Sequence, residues 1–276
     1  MSKNEIFSML PKISLYKDLS ENIIISYRKH EVRNKPYLVF LHGYNGNSKS
    51  WAYQFKYFRK DFSIIAIDFP GFGQSQTLID PDMYKVSGLI KRILIENNVK
   101  NFSLVGHSMG GMLAQVLCGN NPDLVNKLIL SCTHTGYALN YKSPLREAYL
   151  NRLEQRRKLS DTEYGKLRIK SMLPNLSNKD IFNFLAKISE EITDEGILCG
   201  GASMQILNTQ SLLKKIKCPC LIITGSDDVV VSKEKSNFLK QNIKNNINHE
   251  ITGVGHAPYC EDHQKFNNLI YKFIDS

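Results

Sequence analysis

Gly106-His107-Ser108-Met109-Gly110 sets a serine in a G-x-S-x-G frame, and its neighbours decide how the fold is read. Ahead of it, Asn101-Phe102-Ser103-Leu104-Val105 is a short apolar run that reads as a buried strand; behind it, Met109 to Cys118 is apolar and helix-compatible. A sharp strand–turn–helix is the context this motif requires. Ser108 must then adopt a strained backbone conformation that lifts its hydroxyl clear of the sheet. Glycines on both flanks leave room where a Cβ would collide. The pentapeptide alone also fits a glycine-rich turn with an incidental serine. The rest of the chain argues against that.

Outward from this stretch, short apolar runs alternate with longer amphipathic segments, the pattern of strands and helices around a mostly parallel sheet. Strands are expected at Lys12–Tyr16, Ile23–Arg28, Tyr37–Leu41, Phe62–Asp68, Phe102–Gly106, Lys127–Ser131, Cys220–Gly225 and Asn248–Thr252. Helices are expected at Ser50–Arg59, Met83–Asn97, Met109–Asn120, Lys233–Gln241 and Glu261–Ile274. The first two strands leave no room for a crossover helix, so they read as an antiparallel hairpin at one edge. From about Tyr137 to Leu213 the sequence turns charged and helical in period, without a clear strand. The expected organisation is therefore a core of residues 1–136 and 214–276, with a helical cap of residues 137–213 inserted after the sixth strand. Such a cap would cover the carboxyl ends of the strands, where open α/β sheets bind ligands. A separate helical interaction domain is the lesser alternative, because both boundaries return to the same sheet.

The chain has 276 residues, 42% of them hydrophobic and 22% charged, ordinary values for a globular protein. No apolar stretch is long enough for a transmembrane helix. Met1-Ser2-Lys3-Asn4-Glu5 shows no leader pattern, so a cytoplasmic location is the default expectation. The net charge of +10 raises the question of a polyanion partner. Lysines are spread throughout, however, and the richest cluster (Arg152, Arg156, Arg157, Lys158) sits among Glu147, Glu154, Asp161 and Glu163. That suits a solvated helix face, so neither nucleic acid nor membrane is expected as a partner. Six scattered cysteines lack redox or zinc spacing and read as buried free thiols.

A serine hydroxyl needs a neighbouring base, held in turn by a third group. Gly225-Ser226-Asp227-Asp228 follows a strand, and Gly253-Val254-Gly255-His256-Ala257-Pro258 precedes the final helix, so acid and histidine follow the serine in the required order. His256 is the histidine placed to reach Ser108. Asp228 is favoured over Asp227, which suits a turn former. Cys132-Thr133-His134-Thr135 offers no carboxylate as an alternative. Two backbone donors should hold a developing oxyanion: Met109, at the start of its helix, and Tyr44 in Phe40-Leu41-His42-Gly43-Tyr44-Asn45-Gly46. His42, Trp51 and His134 are assigned to the substrate pocket beside Tyr44, Met109 and Met112. Loop bracing competes as a role for His42, and core packing for Trp51 and Met112. Asp68-Phe69-Pro70-Gly71-Phe72-Gly73-Gln74-Ser75 has neither a full dinucleotide fingerprint nor a Walker lysine and reads as a stiff structural turn. No metal-site spacing and no cofactor motif stands out, so no metal or cofactor is expected.

His42-Gly43, Asp68 to Ser75, Gly106 to Gly110, Gly225 to Asp228 and Gly255-His256, in this order, resemble the α/β-hydrolase superfamily across nearly the whole chain. The resemblance implies an eight-stranded, mostly parallel sheet flanked by helices, with Ser108, Asp228 and His256 as nucleophile, acid and base. Serine at the elbow departs from the dehalogenases and epoxide hydrolases, which carry aspartate there. Cys132 to Gly136, Ser171-Met172-Leu173 and Gly200-Gly201-Ala202 look like the 3-oxoadipate enol-lactonase group, whose members need no cofactor. The expected function is a serine hydrolase of small carboxylic esters or lactones, acting as a monomer or homodimer. C–C bond hydrolysis or acyl transfer by the same triad, or a weakly catalytic ligand-binding receptor, are the alternatives. Arg152, Arg156, Arg157 and Arg168 are of a type that holds carboxylates. Their setting reads as solvated helix surface, and none is assigned to the site.

Overall fold

The computed structural model describes residues 3–276, with side chains from residue 6 onward. Met1 and Ser2, part of the stretch read for a leader, lie outside the described residues. Eight strands form one sheet: β1 (Ile13–Asp18), β2 (Ile23–His30), β3 (Tyr37–Leu41), β4 (Ser63–Ile67), β5 (Phe102–His107), β6 (Val125–Ser131), β7 (Cys220–Gly225) and β8 (Asn246–Ile251). Their order is β1-β2-β4-β3-β5-β6-β7-β8. β1 and β2 form the expected edge hairpin, and β2 also runs antiparallel to β4. All remaining pairings are parallel.

Buried apolar runs make the inner strands, because a parallel sheet covered on both faces needs apolar residues on both. Within β3, Leu38 and Phe40 enter one core layer while Val39 and Leu41 enter the other. The first layer packs against α2 (Ala52–Phe58) and α12 (His263–Asp275), through Phe55, Phe58, Phe266 and Ile270. The second packs against α3 (Met83–Glu96), α4 (Met109–Asn120) and α10 (Lys233–Asn242), through Ile90, Leu113 and Leu239. Short helices α1 (Lys3–Ser8) and α11 (Pro258–Glu261) complete this part.

Between β6 and β7 the described chain contains helices and no strand: α5 (Glu147–Lys158), α6 (Asp161–Met172), α7 (Lys179–Ser189), α8 (Asp194–Ile206) and α9 (Gln210–Leu213). Their ends are signalled locally. Ser160 and Glu163 form a capping box at α6, and Asn178 and Thr193 cap α7 and α8 through their side chains. These helices touch the loops at the carboxyl ends of the strands: Ser189 Oγ donates to the Asn45 carbonyl at 3.0 Å, and the Tyr44 hydroxyl donates to the Ile197 carbonyl at 2.5 Å. Among the described residues, no helix is long and apolar enough to cross a membrane.

Candidate active site

At the end of β5 the backbone reverses into α4 through Ser108, which has φ 52° and ψ −116°. A non-glycine residue pays for such a conformation in strain. Close packing enforces it: a Cβ on Gly106 would lie 2.4 Å from the Gly110 carbonyl oxygen, and one on Gly110 would lie 2.2 Å from that of Leu41. The turn is also tied down. Ser108 N–H donates to the Ser131 carbonyl at 2.9 Å, while its own carbonyl accepts from Gly111 N–H, Met112 N–H and the Thr133 hydroxyl.

Three loops from distant parts of the chain meet at this turn. His256 Nε2 lies 3.0 Å from Ser108 Oγ, and His256 Nδ1 lies 3.0 Å from both carboxylate oxygens of Asp228. Asp228 Oδ1 further accepts from Val230 N–H at 2.8 Å and Val231 N–H at 3.0 Å. Burial pushes the Asp228 carboxyl up, but the hydrogen bond and charge of His256 and these two amides outweigh it, leaving its pKa below the usual aspartate value. Asp227, the competing acid, is exposed and accepts from the Ser226 hydroxyl at 2.6 Å. A carboxylate, an imidazole and a hydroxyl in this line can withdraw a proton from the hydroxyl oxygen as that oxygen forms a new bond.

Neither Tyr44 N–H nor Met109 N–H donates to a protein acceptor among the described residues. Met109 is the first residue of α4, where unsatisfied amides and the helix dipole favour negative charge. Tyr44 is held by its phenol on α8, and Gly200 is small for that reason: a Cβ there would lie 2.7 Å from the Tyr44 ring.

A cavity of about 120 Å³ opens beside Ser108. Tyr44, Met112, His134 and His256 line it from the sheet side, and Tyr149, Arg168, Met172 and Ile188 from the helices between β6 and β7. Burial, with Lys235 nearby, lowers the His134 pKa to about 4, so its ring is neutral. Cys132, Asp228 and His256 bring one donor atom each within 4.8 Å of one another, the geometry nearest to a metal site among the described residues. Two of those three donors already bond each other.

Two pocket assignments are corrected. Trp51 is fully buried, its ring 4.8 Å from that of Phe40 and 5.1 Å from that of Tyr259, and it does not line the cavity. A large ring at the end of the Ser48–Trp51 3₁₀ turn fills the layer under the site, where it removes much apolar surface from water. His42 is likewise walled off from the cavity. Its Nε2 accepts from Phe69 N–H at 3.0 Å, so Nδ1 carries the proton and donates to the Gly43 carbonyl at 2.8 Å. Burial holds its pKa near 4. The Met109 side chain is also core.

Arg168 departs from the expected solvated face: it is 8% exposed and lines the cavity. The signal was present in α6, where Tyr164, Arg168 and Met172 recur at four-residue spacing and fall on the buried face.

The matching family model, described as the alpha/beta hydrolase fold, covers residues 36–262. A putative esterase/lipase 2 of Mycoplasma pneumoniae is 25% identical over 92% of this chain and 93% of its own length. The monoacylglycerol lipase abhd6-B of Xenopus laevis is 27% identical over 88% of this chain and 76% of its own. The solved enol-lactonase of Burkholderia xenovorans superposes with a TM-score of 0.83 at 17% identity, over 95% of this chain and 100% of that one, a likeness of fold. Sheet order, elbow and family match agree, and the chain belongs to the α/β-hydrolase fold family.

Proposed function

We propose that this protein hydrolyses small carboxylic esters or lactones through a covalent acyl group on Ser108. The observation that carries the reading is the unbroken line from Asp228 through His256 to Ser108 Oγ, opening onto a cavity. Ser108 Oγ attacks the carbonyl carbon as His256 Nε2 takes its proton. Asp228 keeps the other ring nitrogen protonated and stabilises the imidazolium. The carbonyl oxygen, now negative, accepts from Tyr44 N–H and Met109 N–H. As it collapses back, His256 returns the proton to the departing alcohol. A water then repeats the sequence on the acyl-serine, with His256 as its base, and the acid leaves. In this reading residues 137–213 act as a cap that limits acyl size and water access.

A fluorophosphonate probe should label the wild-type protein at Ser108, and p-nitrophenyl butyrate should be turned over. Ser108→Ala should abolish labelling and lower kcat by a factor on the order of 10⁴ or more. Labelling without turnover of any ester or lactone would point to a ligand-binding protein instead. No labelling and undiminished turnover in Ser108→Ala would remove the serine mechanism.

A further inference from the structure

We propose that Cys118 and Cys218 form a reversible disulfide when the protein meets a peroxide, closing a covalent loop around the helices between β6 and β7. The inference is independent of the hydrolase reading.

All six cysteines are free and buried. Cys118 stands in the last turn of α4, and Cys218 lies just ahead of β7. They are 100 positions apart in the chain, yet their sulfurs are 3.5 Å from each other. A disulfide bond is about 2.0 Å long, so the pair has roughly 1.5 Å left to close. Both backbones are held for that approach. Gly119, beside Cys118, packs on α9: a Cβ there would lie 2.8 Å from Leu212 Cβ. One turn earlier in α4, Gln115 Oε1 accepts from the Thr209 hydroxyl at 2.6 Å, immediately ahead of α9. On the other side, Pro219 restricts the Cys218 backbone, and its carbonyl accepts from Leu128 N–H of β6 at 2.9 Å.

The two thiols are not equivalent. The hydrogen bond that Cys118 donates to Cys218, together with burial, pushes the Cys118 thiol up. That same hydrogen bond, helped by a backbone amide and opposed by burial, holds the Cys218 thiol below its ordinary value. Cys218 is also the more exposed residue, at 7% against 0%. Cys218 is therefore the thiol that reacts first. Its sulfur attacks a peroxide oxygen, the O–O bond breaks, and a sulfenic acid and one water result. The Cys118 sulfur then displaces the hydroxyl from the sulfenic sulfur, forming the S–S bond and a second water. The two thiols give up two electrons and two protons, and the peroxide is reduced. A small thiol reductant reverses the bond by exchange.

Helices α5 to α9 all lie inside the loop that this bond closes. Its effect is to deny the unfolded chain much of its conformational freedom.

The test treats the folded protein with a modest excess of hydrogen peroxide and counts thiols after denaturation. The six thiols should fall by two, peptide mapping should find Cys118 joined to Cys218, and dithiothreitol should restore all six. The Tm of the oxidised protein should rise by about 5 °C or more. Cys218→Ser should lose both the crosslink and the rise, and Cys220→Ser should keep both. No loss of thiols, loss to sulfinic acid without a crosslink, linkage through Cys220, or a mapped crosslink with unchanged Tm would overturn the proposal. Should Cys218→Ser fail to fold, mapping and melting of wild type and Cys220→Ser decide by themselves.

Discussion

Asp228 grips the His256 imidazole symmetrically, with both carboxylate oxygens 3.0 Å from Nδ1. The carboxylate therefore fixes which ring nitrogen holds the proton and leaves Nε2 bare toward Ser108. Asp228→Asn can keep the contact but loses the charge and permits the wrong tautomer. A fall in kcat of about 10³- to 10⁴-fold is expected, with KM changed little. Asp227→Asn, at an exposed side chain, should stay within twofold of wild type. Steady-state kinetics on p-nitrophenyl butyrate would check both, and equal losses in the two variants would contradict the assignment of the acid.

His42 joins two loops by accepting from Phe69 N–H and donating to the Gly43 carbonyl. In the proposed mechanism this would hold the Tyr44 amide in place from outside the cavity. His42→Ala should cut kcat by roughly tenfold to a hundredfold, because a donor displaced from the oxyanion loses most of its effect. Labelling by a fluorophosphonate should survive, only more slowly. Unchanged kcat would show that the loop holds its shape without the ring.

Asp68 sits buried between the Ser26 hydroxyl and Ser48 N–H, each 2.5 Å from a carboxylate oxygen. Burial raises its pKa to about 6, against the partial opposition of those hydrogen bonds and Arg28. Its folded pKa lies above the unfolded value, so its protonation stabilises the fold most below the unfolded pKa, and the gain disappears as pH rises through about 6. Relative to Asp68→Asn, wild-type stability should increase by about 1 kcal/mol between pH 7.5 and pH 5. Urea midpoints for both proteins at the two pH values test this. Parallel pH dependence in wild type and Asp68→Asn would refute it.

Gly110→Ala and Gly88→Ala should act in opposite directions. A Cβ at Gly110 meets the backbone of β3, which cannot move without breaking the sheet, and the loss should be on the order of 3 kcal/mol or more. At Gly88, within α3, a Cβ would meet only the flexible end of Arg92, at 3.4 Å. There alanine should stabilise by roughly 0.5–1 kcal/mol through reduced backbone entropy in the unfolded chain. Thermal unfolding of the two variants reads both signs, and a Gly110→Ala protein melting like wild type would undo the steric account of the elbow.

The strands were legible because parallel strands leave an unmistakable local mark. Tyr37–Leu41 and Cys220–Gly225 fall where their apolar runs lie, and Met109–Asn120 is helical over the expected span. Asn246–Ile251 begins two residues earlier than expected, because an edge strand exposed along most of its length carries polar residues that blur its start. Trp51 and His42 were misplaced for another reason. His42 lies in a loop without periodicity and Trp51 in the single turn that opens a helix, so nothing local says whether a ring turns to the cavity or to the layer beneath it. Arg168 was lost among charged neighbours, although its four-residue spacing from Tyr164 and Met172 marked the buried face.

Sequence by itself determined the order of the elements, the elbow at Ser108 and the identities of the polar groups on the loops after β5, β7 and β8. Those features are written in short-range patterns: apolar runs, turn residues, glycines where no Cβ fits. Tertiary structure alone decided that Asp228, His256 and Ser108 come within 3.0 Å steps of one another. It also decided that the sulfurs of Cys118 and Cys218 meet. Such relations join residues far apart in the chain, and they exist only once the sheet has brought its loops to one edge and the helices after β6 have folded over it.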